Sequence, residues 1–302
     1  MRVLVTGAAG FVGTRLCARL AARGDELLAR DRELDVCDAA RVRDAIDAAR
    51  PDAIVHLAAI SSVPEAEADP LRAYRVNTLG ARALLDGALR AAPRARVLLV
   101  TSAAIYGAAP PGSAGFDERS ALRPASAYAR TKAAADLLGA AYAERGLAVV
   151  RARPFNHSGA GRPAAYVEAR LARDVVAIAA GRSALPLPLA NAESQRDFLD
   201  VEDVVDAYVA LLDPQAPGGA YNIARGEPVS LRELAQRLCR LAGVAPEIAA
   251  TSDPLRAPDA TIGSAEKLRA ATGWRPKRAL DDTLRELLAA QQERARAAAP
   301  RA

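Results

Sequence analysis

The segment Val3-Leu4-Val5-Thr6-Gly7-Ala8-Ala9-Gly10-Phe11-Val12-Gly13 constrains this chain more than any other. A short apolar run ends in three glycines, each separated from the next by two residues, and a helix-like stretch, 12–23, follows at once. A glycine triplet alone marks only a tight strand-to-helix turn. Between a strand and a helix, the first glycine permits the bend, the second lets backbone approach a ligand, and the third lets the helix pack closely. The helix N-terminus then faces the loop, and its positive pole suits a pyrophosphate. The alternation continues beyond it. Strands are predicted at 26–29, 34–36, 53–57, 97–100 and 147–151, and helices at 39–49, 69–91 and 127–145. Strands alternating with helices of this length imply parallel pairing through right-handed crossovers. Their continuous apolar character fits a sheet covered on both faces.

The expected fold is therefore α/β, a doubly wound parallel sheet of the Rossmann type, with a smaller mixed α/β region after it. The rhythm breaks after Pro154, where Gly159, Gly161, Pro163, Pro186, Pro188, Pro214, Pro217, Gly218 and Gly219 crowd the chain. Helices are predicted there at 231–242, 265–272 and 280–293. We place a dinucleotide-binding domain at 1–153 and a substrate-binding region at 154–302, with part of 197–213 packing back on the first domain. The Ala/Arg-rich tail 294–302 is expected to fray.

Composition narrows the function. The chain of 302 residues is 51% hydrophobic and 25% charged, enough to bury a core without disulfide or metal staples. Its 41 Lys+Arg against 36 Asp+Glu are spread out, with no dense basic run, so the charge does not point to nucleic acid. Cys17, Cys37 and Cys239 lie far apart, and only His56 and His157 could join them at a metal, so reduced thiols and no metal site are expected. No stretch approaches the roughly 20 apolar residues of a membrane span. These features fit a cytoplasmic chain.

The reacting groups are read from order and spacing. Ser102 follows the strand 97–100, and strand C-termini face the ligand crevice in a doubly wound sheet. A hydroxyl there can donate to a carbonyl oxygen as it gains charge. Tyr128 and Lys132 stand one helical turn apart on one face. An ammonium beside a phenol favours the phenolate and is expected to pull its pKa down from about 10. Lys132 is one of only three lysines in an arginine-dominated chain, which argues against filler. Together with the glycines, Ser102, Tyr128 and Lys132 imply hydride transfer at a carbonyl or alcohol. Asp31 lies at the end of the second strand, where an acid accepts from an adenosine ribose. That leans the cofactor toward NAD(H), while the flanking Arg30 and Arg32 keep NADP(H) open. His56 reads as a satisfied core histidine, and His157 as structural or ligand-binding. With two histidines and no supporting motif, a Ser/His/Asp arrangement is absent.

These residues resemble the extended short-chain dehydrogenase/reductases that act on nucleotide-activated sugars. The resemblance runs from Val5-Thr6-Gly7 through His56-Leu57-Ala58-Ala59, Asn77, Tyr106-Gly107, Arg153-Pro154 and Tyr221-Asn222-Ile223 to Gly273-Trp274-Arg275-Pro276. It implies cofactor contacts at Gly7, Gly10, Phe11, Val12, Gly13, Asp31, Asp35, Val36, Leu57, Ala58, Ala59, Asn77, Tyr128, Lys132 and Pro154. Residues 153–162 and 195–204 are most similar to the members that reduce GDP-linked 6-deoxy-4-keto sugars. That implies a GDP-sugar substrate held by Ser102, Asn156, Arg173, Arg196 and Arg256. Ala160 and Arg162 depart from the pattern, where proline and glutamine are usual, which leaves a heptose analogue open. Ala104 stands where sister dehydratases carry a glutamate, which argues against elimination of water and leaves a 4-epimerase with tightly held NAD as the alternative. The resemblance also implies a homodimer through the helices 69–91 and 127–145.

Overall fold

A computed structural model describes residues 1–183, 186–251 and 258–297. In chain order the first half holds β1 (Arg2–Thr6), α1 (Gly13–Ala22), β2 (Glu26–Arg30), α2 (Ala39–Ala49), β3 (Ala53–His56), α3 (Val63–Ala68), α4 (Pro70–Tyr74), α5 (Gly80–Ala91), β4 (Arg96–Val100), α6 (Ala127–Glu144) and β5 (Ala148–Pro154). The second half adds β6 (Asn156–Ser158), α7 (Val167–Ala179), β7 (Leu187–Ala190), β8 (Gln195–Asp200), α8 (Val201–Leu211), β9 (Gly219–Ile223), β10 (Pro228–Ser230), α9 (Leu231–Leu241), β11 (Ile248–Thr251), β12 (Ala260–Thr261), α10 (Glu266–Thr272) and α11 (Leu280–Ala297).

Six parallel strands in the order β2-β1-β3-β4-β5-β9 form the main sheet. Successive strand residues point to opposite faces. Val3, Val5, Val55, Leu98, Val100 and Val150 therefore enter one core with Leu16, Leu20, Val204 and Tyr208. Leu4, Ile54, Val97, Leu99 and Val149 enter the other with Ile46, Leu84, Leu85 and Tyr142. A third core joins α7, α9 and α11 through Leu171, Leu234, Leu238, Leu284 and Leu287.

The chain leaves β1 toward β2 on one side and reaches β3 on the other. That reversal opens a crevice beyond the strand C-termini, where ligands bind in such sheets. Helix α8 returns to α1: Glu202 pairs with Arg19 at 3.2 Å and Arg15 at 3.3 Å, and Arg19 also pairs with Asp206. The sixth strand comes from residues 219–223, later in the chain than the stretch read as returning.

Two expectations are corrected. Residues 34–36 form no strand. Asp35 accepts from the Cys37 amide and Asp38 caps α2, so the segment is a turn entering a helix. The stretch 69–91 is not one helix: Asp69 caps α4, and a single π turn, Arg75–Leu79, interrupts the path to α5. Helices α7 and α8 add to the helices expected in the second half; Asp200 caps α8 by accepting from the Glu202 amide.

Candidate active site

A cleft of about 1280 Å³ lies across the C-terminal ends of the parallel strands. At one end is the loop between β1 and α1. Gly7 has φ +70°, and a Cβ there would lie 2.8 Å from the Ala58 amide nitrogen. A Cβ on Gly13 would run into the Gly7 carbonyl oxygen. Only glycine lets this loop fold so tightly against β3 and against itself. Val12, at the N-cap of α1, supplies no side-chain cap, so the helix pole stays open. A bare backbone cradle at a helix N-terminus fits a dinucleotide diphosphate.

Gly7, Gly10, Phe11, Val12, Gly13, Asp31, Asp35, Val36, Leu57, Ala58, Ala59 and Pro154 all line the cleft. Arg32 lines it too, whereas Arg30 does not and donates to the Ala29 carbonyl at 2.9 Å. Asn77 is corrected. It is buried in the π turn, where it accepts from the Ile60 amide at 2.8 Å and donates to the Ile60 carbonyl and Thr131 hydroxyl at 3.0 Å each. It therefore holds the loop after β3 against α6 and does not line the cleft.

At the other end β4 delivers Ser102, and α6, capped by Ser126, delivers Tyr128 and Lys132. Ser102 Oγ accepts from the Ala104 amide at 3.1 Å and lies beside the Tyr128 hydroxyl, whose anion it favours. Lys132 Nζ, with only 6% of the residue exposed, donates to the Val100 carbonyl at 2.8 Å. Burial lowers the Lys132 pKa to about 8.

The expected lowering of the phenol is overturned. Burial pushes Tyr128 up to about 12, the Ser102 hydroxyl opposes it, Tyr166 raises it further, and the opposing cation is Arg162, not Lys132. Stripping water from a phenol disfavours its anion. The result is a phenol that stays protonated at neutral pH.

Asn156 and Arg196 line the cleft. Arg196 pairs with Asp259 at 2.9 Å and donates to the Gln195 carbonyl at 2.7 Å. Arg173 is corrected: it is not among the cleft residues and pairs with its exposed neighbour Asp174 at 2.8 Å, because its place on α7 turns it away. Arg256 lies outside the described residues. His157 lines the cleft, stacked on Phe11, with Nδ1 bonded to the Phe155 carbonyl at 3.0 Å and its pKa brought down to about 3 by burial. His56 is buried outside the cleft; its Nδ1 meets Thr6 Oγ1 at 2.8 Å, and Nε2 has no partner among the described residues. Arg162, noted above only as a departure from the pattern, lines the cleft, and so do Ser61, Tyr166, Tyr208 and Asp259, which no local motif joins. All three cysteines are free, and no cluster of possible metal ligands occurs among the described residues. Among those residues, no helix is long and apolar enough to cross a membrane.

Comparison with known proteins agrees with this geometry. Residues 3–224 match the NAD dependent epimerase/dehydratase family. GDP-6-deoxy-D-mannose reductase from Pseudomonas aeruginosa is 34% identical, over 98% of this chain and 98% of that protein. The structure of RMD from Pseudomonas aeruginosa complexed with NADPH superposes with a TM-score of 0.88 at 33% identity, over 97% of this chain and 100% of that one. The Thermus thermophilus UDP-glucose 4-epimerase complex with NAD gives 0.86 at 30% identity, over 97% and 99%. With the glycine cradle, the open helix pole and the Ser102/Tyr128/Lys132 set in one cleft, the chain belongs to the NAD dependent epimerase/dehydratase family and is an NAD(P)-dependent enzyme that modifies nucleotide-linked sugars.

Proposed function

We propose that this enzyme reduces the C4 ketone of a GDP-linked 6-deoxy-4-keto sugar. The observation that carries the reading is that Ser102, Tyr128 and Lys132 line the same cleft as the dinucleotide cradle, with the Tyr128 phenol held protonated by burial. When bound, NAD(P)H supplies the hydride for the carbonyl carbon. As the carbonyl oxygen gains charge, Ser102 donates to it and Tyr128 gives up its proton. A phenol near 12 is a ready donor to a nascent alkoxide and keeps its proton until one forms. Lys132 uses one N–H on Val100, and its remaining donors bind ribose hydroxyls. Ala104 lines the cleft and offers no base for elimination. Asp31 at the adenosine end favours NAD(H). Asn156 and Arg196 hold the sugar nucleotide, and Arg196 exchanges Asp259 for a phosphate oxygen. The GDP assignment is supported by similarity to the Pseudomonas aeruginosa reductase across nearly the whole chain.

Purified enzyme is expected to oxidise NADH or NADPH stoichiometrically with a GDP-linked 4-keto-6-deoxy sugar. Tyr128→Phe should lose at least about a hundredfold in kcat, the lower range of general acid catalysis, and a Tyr128→Phe enzyme at full rate would sink the reading. The similarity to 4-epimerases raises the alternative of an isomerase. Dinucleotide that stays bound through purification, with no net oxidation, identifies that reaction. We also infer a homodimer, since Leu71, Tyr74 and Leu137 expose apolar surface on the neighbouring helices α4 and α6.

A further inference from the structure

The Arg162 guanidinium, whose charge favours the Tyr128 phenolate, has a built setting in the cleft that the proposed reaction leaves unexplained. Arg162 is only 8% exposed. Its Nε donates to Glu168 Oε1 at 3.0 Å, and Glu168 is itself buried. Its Cζ lies 3.4 Å from the centroid of the Tyr166 ring and 5.1 Å from that of Phe11. Tyr166 is in turn tied to Ser61 across the cleft at 2.8 Å. Nε is thus satisfied, and two aromatic rings lie against the guanidinium. The two Nη groups make no hydrogen bond among the described residues, although Arg162 lines the cleft.

A buried cation with unused donors costs desolvation energy unless a ligand completes it. A planar guanidinium with a free edge suits the oxygens of a phosphate. Phe11 decides which phosphate. It belongs to the glycine loop, between Gly10 and Gly13, and Arg15 locks it by stacking at 4.6 Å and donating to its carbonyl at 2.8 Å. Arg15 also donates to the Ala160 carbonyl, so the segment carrying Arg162 is fastened to the first turn of α1. We infer that Arg162 donates to the diphosphate of the bound dinucleotide, closing the cradle from the side opposite the helix pole. The diphosphate of the sugar nucleotide has Arg196 at its own end of the cleft.

Equilibrium binding tests this without turnover, so failure of the reductase reading leaves the test intact. NADH, NADPH and GDP are titrated separately into wild type, Arg162→Gln, Arg162→Lys and Glu168→Gln at ionic strengths of roughly 50 and 300 mM. Arg162→Gln should weaken both dinucleotides by about tenfold or more, leave GDP within about twofold, and flatten the salt dependence of dinucleotide binding. Glu168→Gln should bind dinucleotide no more weakly than wild type, since its cation survives. Arg162→Lys, which keeps charge but not the planar edge, should fall between. GDP affinity and the melting temperature report the fold. If Arg162→Gln does not fold, Arg162→Lys decides: wild-type dinucleotide affinity in it overturns the inference. Three other results do so as well: unchanged dinucleotide affinity in Arg162→Gln, a loss confined to GDP, or an equal loss in Glu168→Gln, which would make the ion pair merely structural.

Discussion

Lys132 shows most sharply how context sets the behaviour of a single residue. Its place one turn after Tyr128 was legible from spacing, but its environment was not. The ammonium sits in the core against the Val100 carbonyl and is brought from an ordinary 10.5 to about 8. A lowered pKa means that the folded state binds the proton more weakly than the unfolded chain. The penalty is full below pH 8, where both states are charged, and disappears as pH climbs to 10.5, where neither is. At pH 7 it amounts to about 3 kcal/mol. Lys132→Met is therefore expected to be more stable than wild type by up to about 3 kcal/mol at pH 7, with the gap closing toward pH 10.5 and turnover lost. Urea melts of both proteins across that range measure it. A constant gap would mean that the ammonium is not desolvated. Tyr128 teaches the same lesson in reverse: i and i+4 spacing brought the two groups onto one helix, yet burial, not the amine, dominates the phenol.

Among elements, α6 matters most because it carries both reacting groups. Its N-terminus is capped by Ser126, whose side chain accepts from the Ala129 amide. Its anchorage was not visible. Asp136, fully buried on α6, takes Arg153 through both Nε and Nη2, at 3.0 and 2.6 Å, and Arg151 at 2.8 Å, both from β5. Thr101, at the end of β4, donates to it at 3.2 Å. This knot fixes α6 to the strand ends from which Ser102 emerges. Asp136→Ala leaves two guanidinium groups short of a partner, Arg153 fully buried, and should cost about 3–5 kcal/mol. A loss below about 1 kcal/mol by chemical denaturation would place it with surface pairs. The π turn before α5 is a second case. Helical periodicity gives no hint of this turn, whose Asn77 is held by long-range bonds to Ile60.

At the scale of the molecule, the two faces of the sheet are covered unequally in chain order. One face is closed by α2, α5 and α6 from the first half, and the other needs α1 together with α8 from the second. Outside these cores, Leu71 is 78% exposed and Leu137 60%. Such apolar side chains on adjoining helices fit a partner surface. The wild-type chain is expected to sediment as a dimer at micromolar concentration, and Leu71→Glu with Leu137→Glu as a folded monomer. A wild-type monomer would remove the assembly proposed here.

What the sequence determined by itself was whatever rests on local order. The β1–glycine–α1 turn, the limits of α2 at residues 39–49 and the Tyr128/Lys132 pair on one helix follow from steric demands and from 3.6- and 2-residue periods, which act between near neighbours. Only the tertiary structure decided the rest. That Gly219–Ile223 completes the sheet, that Asn77 serves a loop, that Arg173 misses the cleft, that the Tyr128 pKa rises and that Arg162 faces the glycine loop all depend on contacts between distant parts of the chain. Burial and charge at a point in space are sums over every segment that arrives there, and no window along the sequence contains that sum.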